Sequence, residues 1–388
     1  MEIFKFIPNP SDLTSSFLEQ GEFINGIKTA TWTERYRPAG EFTITAPVSA
    51  DLRTVLPLGT LISHTDTLEV MMVENHEIDD DAADGEPMMR ITGSSLETWF
   101  KFRGVGADVY MSGLDTSIPI PDYVLDFDNT WNQAAALINL QIILGFPTLD
   151  EPGGRPILSE GDEMPGWVGI SNEQHTASGT TAYRIIERGS LYRALLDLMA
   201  IDDFGIKVVR PNPDNVDPLT TEFRIHNGAD KTADVIFSHV RGDLTKARYF
   251  WSNKAEYTDA FIVTSYLNYR HEPDLTAIGY NRRILHVDAA DLDSQVSLDP
   301  DGYDFTDVYA AGNIRAADAI RASRQTSILA TNITSTAPYK FRRDYDVGDL
   351  VTVNGNYDVS AIMRVTEHVE FLDEKGTTGY PTLSALGE

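Results

Sequence analysis

The chain has 388 residues, 42% hydrophobic and 10% aromatic, which is apolar area enough for real cores in roughly two to four domains. Its 31 basic and 59 acidic residues give a formal charge of −28, a surface that repels nucleic-acid phosphate and anionic membranes alike. The absence of cysteine excludes disulfides and thiolate-based metal sites or catalysis.

The opening MEIFKFIPNP has no basic region leading into an apolar run, so no secretory signal is expected. The first hundred residues then read as strands. In TWTERYRPAGEFTITAP, Phe42, Ile44 and Ala46 alternate with Glu41, Thr43 and Thr45, the period of a strand with one buried face. Arg37-Pro38-Ala39-Gly40 puts Pro second and Gly fourth, as a type I turn prefers. Runs around Leu61 and Val70, followed by MMRITGSSLETWF, extend this meander and predict a small barrel or sandwich.

From Phe102 to Gly189 the pattern changes. Thr130 is placed to cap a helix beginning at Trp131, with Ala134, Ala135, Ile138 and Ile142 on one stripe and Gly145 ending it. The apolar run Ala134 to Phe146 is short for a membrane span and contains Asn139 and Gln141. PTLDEPGGRPILSEGDEMPGW reads as a long surface loop. Ser190 heads a second helix, LYRALLDLMAID, with Leu191, Leu195, Leu198 and Met199 at helical spacing, broken by Asp202-Asp203-Phe204-Gly205 before the strand IKVVRP. Two β-rich runs divided by Ser252-Asn253-Lys254 follow. An Ala-rich helix is predicted near Asn313 to Arg324, with Ile314, Ala317 and Ile320 on one side, and strands close the chain. The predicted class is α+β, mainly β, with interleaved domains.

Catalytic and metal motifs are weak. None of the eight histidines stands in H-E-x-x-H or at helical i, i+4 spacing, and His76 and His368 read as strand residues. Gly104 to Gly106 lacks the third glycine of a dinucleotide fingerprint, and there is no G-x-x-x-x-G-K-[ST] or G-x-S-x-G. Ser297, Asp299, Asp301 and Gly302 mimic the start of an EF-hand loop, but Val308 stands where its bidentate Glu belongs. A polar turn is favoured there, with a calcium site using Asp304 as the alternative. Ile78 to Glu86 reads as a solvated hairpin tip. No catalytic, cofactor-binding or metal-ligating residue is assigned.

The strongest pattern is internal. Leu58-Gly59-Thr60-Leu61-Ile62 stands against Val347-Gly348-Asp349-Leu350-Val351. Val73 to Ile78 stands against Val365 to Phe371, with one residue inserted. Duplication is one reading; the other is that half-buried hairpins look alike.

WTERYRPAGEFTITAP, followed by LGTLI and ITGSSLETWF, resembles the N-terminal signature of siphophage tail-tip hub proteins. These open with an aromatic-x-x-R-Y run, a turn, G-x-F-x-[IL]-x-x-P and I-x-G-x-S-L-x. DYDVGDLVTV, IMRVTEHVEF and the closing GYPTLS are similar to the C-terminal β region of the same baseplate-hub-like family. The resemblance implies two related, tail-tube-like β-barrels with inserted α/β and helical segments. Residues 1–103 would form the first barrel, completed by about 206–245, and 104–205 an inserted α/β domain with a long loop. The second barrel would comprise 246–300 and 331–388, with a short helical segment at 301–330.

It further implies a non-enzymatic homotrimer without cofactors or membrane anchor, made in the bacterial host cytoplasm and placed at the virion tail tip. Six similar barrels in three chains would match a six-fold tail tube to a three-fold tip. The implied partners are the distal tail protein ring, the tail tube or tape-measure protein, and tail fibre or receptor-binding proteins. DNA would only pass through, past acidic walls. With the chain ending at Glu388, receptor binding and cell-wall cleavage are expected of partner proteins. Two rivals remain at this stage. One is a carbohydrate-binding adhesin using Trp99, Trp131, Trp167 and Trp251; the other is a cell-wall hydrolase with an unrecognised acid pair.

Overall fold

The computed structural model describes residues 1–8, 18–48, 50–80, 87–102, 104–105, 122–138, 167–170, 182–187, 189–210, 221–250, 257–264, 268–271, 279–290, 297–299, 302–304, 306–323, 328–335, 337–356 and 359–385. The first part holds β1 (Ile3–Pro8), β2 (Leu18–Phe23), β3 (Thr29–Arg35), β4 (Glu41–Pro47), α1 (Ala50–Val55), β5 (Leu61–His64), β6 (Met71–Asp79) and β7 (Met88–Ser95). Next come β8 (Gly104–Val105), β9 (Asp122–Asp128), α2 (Thr130–Ile138), β10 (Trp167–Ile170), β11 (Ala182–Glu187), β12 (Gly189–Ser190), α3 (Leu191–Ile201), β13 (Gly205–Val209) and β14 (Thr221–His226). They are followed by β15 (Ile236–Ser238), β16 (Leu244–Phe250), β17 (Asp259–Val263), β18 (Asn268–His271), β19 (Ile284–Asp288), β20 (Ser297–Asp299), β21 (Gly302–Asp304) and α4 (Thr306–Ser323). The last strands are β22 (Ile328–Ile333), β23 (Leu350–Asn354), β24 (Ser360–Asp373) and β25 (Gly376–Ala385).

Alternation places the strands as the sequence predicts. In β4 the side chains of Phe42, Ile44 and Ala46 are buried and those between them are not. With Trp32, Ile62, Met71, Met89 and Ile91 they form the first sheet's core. The main sheet does not close into the expected barrel. It is an open path, β15-β23-β24-β3-β4-β7-β6-β5-β1-β2, with β25 also paired to β24. Both ends of the chain therefore share one sheet, and β24 joins them. Its first half pairs with β23 and its second half with β3, on one edge, while β25 lines the other.

A second core lies beneath the 3-10 turn at Leu96–Phe102, where α2 and α3 pack on β13 and β14. Tyr345, Val351, Val353, Met363 and Val365 build a third around β23 and β24. The fourth is the face of α4 on β17 and β19, a small unit with its own three-stranded sheet.

Some local expectations shift. The cap of α2 is Asn129, whose side chain accepts the Asn132 N–H at 2.9 Å, while the Thr130 hydroxyl turns to the Asp202 carboxylate. Ser190 holds the cap position of α3 with extended backbone, but its hydroxyl makes no cap bond. The predicted apolar stripe of α3 is buried as expected. Helix α4 begins earlier than predicted and buries Val308, Ala311, Ala316 and Ile320, leaving Ile314 and Ala317 half-exposed. Ile142, Gly145, the Ser252–Lys254 break and most of the long loop lie outside the described residues, as do residues 81–86 of the hairpin tip.

The internal repeat survives at the level of single hydrogen bonds. Gly59 (φ +85°) and Gly348 (φ +103°) each occupy the third position of a tight turn, closed by Thr60 N–H to Pro57 and by Asp349 N–H to Asp346. Gly59 N–H donates to the carbonyl of Val73, and Gly348 N–H to that of Val365. Val73 N–H returns to Thr60, and Val365 N–H to Asp349. The ladders agree too: Leu61 faces Met72 as Leu350 faces Arg364, and Met71 faces Ser95 as Met363 faces Ala385. A bulge follows at Val73/Asn75 in one copy and at Val365/Glu367 in the other. Beyond it His76 faces Ile91 and His368 faces Pro381, and both ladders run on without the inserted residue expected from sequence. A chance likeness of hairpins does not reproduce turn, register and bulge together. The two phrases share turn, register and bulge.

Candidate functional site: the junction of the two repeats

The second copy of the turn is buried beneath the first part of the chain. The Tyr36 ring covers Gly348, where a Cβ would sit 2.7 Å from Cε2. Gly228 (φ +68°) presses on the Gly348 carbonyl from another side. Tyr36 donates its backbone N–H to Thr366 in the bulge of β24 at 2.9 Å, and its hydroxyl to the Asp203 carbonyl at 2.5 Å.

Asp203 sits just past α3 in the left-handed region (φ +60°), and its carboxylate is held between Arg37 and Arg364. Arg364 also donates to the carbonyls of Gly348 at 2.5 Å and Asn227 at 2.8 Å, with its guanidinium 4.7 Å from the centre of the Tyr36 ring. One planar cation thus ties β24, the end of α3 and the chain after β14 into a single joint.

Beside this joint lies a buried charge network. Glu34, on β3, accepts hydrogen bonds from Arg342 and Thr67, each at 2.5 Å, and Lys207 of β13 lies 3.6 Å away. Arg342 bridges to Glu370 on β24 at 3.2 Å. His64 Nε2 lies 3.2 Å from a Glu370 carboxylate oxygen. Glu69 is 2% exposed with Oε2 unpartnered, and Glu97 accepts the Val208 N–H at 2.8 Å through Oε1 while its Oε2 has no partner. A cavity of about 630 Å³ opens here, lined among others by Glu34, Thr67, Glu69, Lys207, Arg342 and Asp346.

Five carboxyls (Glu34, Glu69, Glu97, Asp346, Glu370) surround the cations Lys207 and Arg342, and burial and charge push them in opposite directions. Burial opposes ionisation of Glu34, but Arg342 and Lys207 outweigh it and hold the group well below the usual carboxylate range. Glu370 is lowered in the same way, by His64 and Arg342 against burial. Burial pushes Glu69, Glu97 and Asp346 up, and the charges of Glu34 and Glu97 push Glu69 further. Lys207 holds its proton more firmly than usual, because Asp346, Glu34 and Glu69 outweigh its burial.

Comparison with known proteins now bears on the whole chain. The family model of siphovirus ReqiPepy6 Gp37-like proteins matches residues 13–383. The chain belongs to that family. No curated protein matches it by sequence. Among solved structures it is similar to the tail protein from Neisseria meningitidis MC58, with 12% identity, TM-score 0.54, and 95% of this chain and 94% of that one covered. It is also similar to prophage tail protein gp18 from Listeria monocytogenes EGD-e, with 10% identity, TM-score 0.51, and 99% and 94% covered. A third is the 43 kDa tail protein of prophage MuSo2 from Shewanella oneidensis, with 11% identity, TM-score 0.50, and 99% and 97% covered. The siphophage tail resemblance read from sequence stands, and the fold is that of these tail proteins.

In this siphophage family member the junction is a clamp, holding the turn after β3, the end of α3, the chain after β14 and β24 together. Several residues singled out by sequence have structural places. His368 is stacked on Phe341 at 3.8 Å, lies 3.3 Å from the Tyr345 hydroxyl, and is lowered to about 4 by burial. Trp131 is buried and Trp99 packs on the same core; the Trp167 side chain and Trp251 lie outside the described residues. Gly104–Val105 pairs with Gly189–Ser190. Ser297–Asp299 and Gly302–Asp304 form a small hairpin, and Val308 is buried in α4; Asp301 is outside the described residues. Among the described residues no His, Asp and Glu cluster has the geometry of a metal site.

Sequence reasoning missed the charge network. Lys207, alone among apolar neighbours in IKVV, was its one visible signal.

Its titration has a measurable consequence. Glu69, Glu97 and Asp346 keep protons in the folded chain at pH values where the unfolded chain has lost them. The folded state binds more protons, so stability falls as pH rises through the raised values. Glu34 and Glu370 act in the opposite sense only as pH falls below about 4.5. The unfolding temperature is therefore expected to rise as pH is lowered toward about 6.5. Below that, His368, held near 4 in the fold, is protonated only in the unfolded chain and opposes the rise. Glu69→Gln, neutral throughout, should flatten that slope in a thermal scan; an unaltered slope would show Glu69 ionised in the fold.

Proposed function

We propose that the chain is the structural, non-enzymatic hub of a siphophage tail tip. Three copies form a ring that matches the six-fold tail tube to a three-fold tip and surrounds the DNA exit channel during attachment and ejection. The carrying observation is the repeat. One chain offers the same turn, register and bulge twice, so three chains offer six nearly equivalent β units around one axis. The first unit is β1–β7; the second is β15, β16 and β22–β25, each the core of a tube-like barrel completed in the assembly. Residues 104–205 and the α4 unit are insertions carried on them.

Above the ring lie the distal tail ring and the tube or tape-measure protein, and below it the fibre or receptor-binding proteins. A charge of −28 suits a channel through which DNA slides without sticking. Mass photometry of the purified chain, with image averaging of assembled tips, tests the reading. The expected outcome is a particle of three times the chain mass with three-fold symmetry and a six-fold pseudo-repeat; a stable two-fold dimer would sink it.

A further inference from the structure

The same strand edge has different surroundings in the two copies. On β24, the edge away from β25 is filled twice: β23 takes Ser360–Arg364 and β3 takes Glu367–Leu372. On β6, the edge away from β7 is filled only at its start, where β5 takes Met71 and Met72. No described strand pairs with Asn75–Ile78 on that side.

Exposure follows the difference. Leu58, at the tip of the first turn, is 62% exposed, while its counterpart Val347 is 2% exposed. His76 Nε2 is shielded from solvent yet has no partner, whereas His368 is stacked and partnered. Ile78 is an exposed apolar residue beside this edge.

The strand that fills the far edge of β24 is β3, first of the β3–β4 hairpin whose second strand pairs with β7. The second repeat has a counterpart pair: β16 pairs antiparallel with β22 as a separate two-stranded sheet, and β22 packs beside β25. No described strand lies on the other edge of β16. The strands therefore follow one another as β16, β22, β25, β24, β3, β4, β7, β6. Among the described strands the far edge of β16 and the β6 edge beyond Met72 have no partner, and the β24–β3 seam lies between them. In strand order β16 stands where β3 stands in its own pair, and the β6 edge stands where the β24 edge filled by β3 does.

We propose that β6 of one copy pairs antiparallel, through Asn75–Ile78, with β16 of a second copy, repeating between chains the β24–β3 seam seen within one. This rests on the ring reading above and names its contact. A head-to-tail joint between unlike edges propagates, and at the right rotation it closes into a ring. Strand pairing at an open edge supplies the main-chain hydrogen bonds. Charge is complementary as well. The intrachain seam carries the Arg35–Glu367 pair at 2.7 Å, and between chains Glu74 and Glu77 of β6 would meet a strand that carries Lys246 and Arg248.

The absence of native cysteine makes the test clean. Glu77→Cys is combined with Arg248→Cys in one variant and with Lys246→Cys in another, so that either register is sampled. Each is treated with a short bismaleimide, and native mass spectrometry is run in parallel. Covalent dimers and trimers from a double variant, with monomers from each single variant, are expected. A native trimer in which neither double variant cross-links overturns the seam and leaves the ring standing. A chain that stays monomeric at every concentration overturns both. Unchanged thermal unfolding of each variant shows that it has folded.

Discussion

Arg342→Met is expected to destabilise the chain by about 3–5 kcal/mol, the usual consequence of removing one partner from a buried ion pair. The guanidinium is the hub of the network: it bonds Glu34 at 2.5 Å and Glu370 at 3.2 Å, and those carboxylates are almost wholly out of water. Met keeps the length and apolar stem but leaves Glu34 with Lys207 and Glu370 with His64 as their remaining partners, so protons must be taken up or the strands must part. The strands concerned are β3 and β24, and their separation would loosen the two repeats. Urea denaturation measures the loss. Glu34→Gln in the same chain should restore part of it, because the amide needs no counter-charge. A loss below about 1 kcal/mol, the range of an exposed pair, would mean that water reaches the network.

A paired substitution at the two like turns carries its own control. Gly59→Ala meets nothing within 4 Å and should lose only the left-handed backbone preference of glycine, about 1 kcal/mol. Gly348→Ala suffers the same strain and also drives its methyl into the Tyr36 ring at 2.7 Å. That ring cannot swing away, being held by its hydroxyl to Asp203 and by Arg364 across its face. Overpacking adds about 1–3 kcal/mol, so the second variant should be clearly the less stable in the same denaturation series. Equal losses would mean that the cover over Gly348 yields freely.

Much of the local fold was legible because periodicity reports burial directly. The β4 alternation, the α3 stripe and the twin glycine turns all appear in the sequence and recur in the structure. The α2 cap was misplaced by one residue because Asn129 and Thr130 both suit the position, and only the pull of Asp202 on Thr130 decides between them. The predicted stripe of α4 failed because Ala and Gly dominate the helix, and small side chains report little about which face is covered. The charge network was opaque for a deeper reason. Glu34, Glu69, Lys207 and Arg342 are far apart in sequence, and each taken singly reads as a solvated surface residue. Only the strand order brings them together, and strand order across such separations is not written in any local pattern.

The sharing of β24 has a temporal consequence for a chain made from its N-terminus. Arg35 on β3 bonds Glu367, a residue translated 332 positions later. At roughly 5–20 residues per second, the nascent first sheet leaves the ribosome with one flank bare for tens of seconds. Pairings over such distances form slowly, and a bare flank invites wrong partners meanwhile. The yield of folded chain is then expected to depend on how well that interval is guarded, and shortening it to help more than strengthening the finished fold.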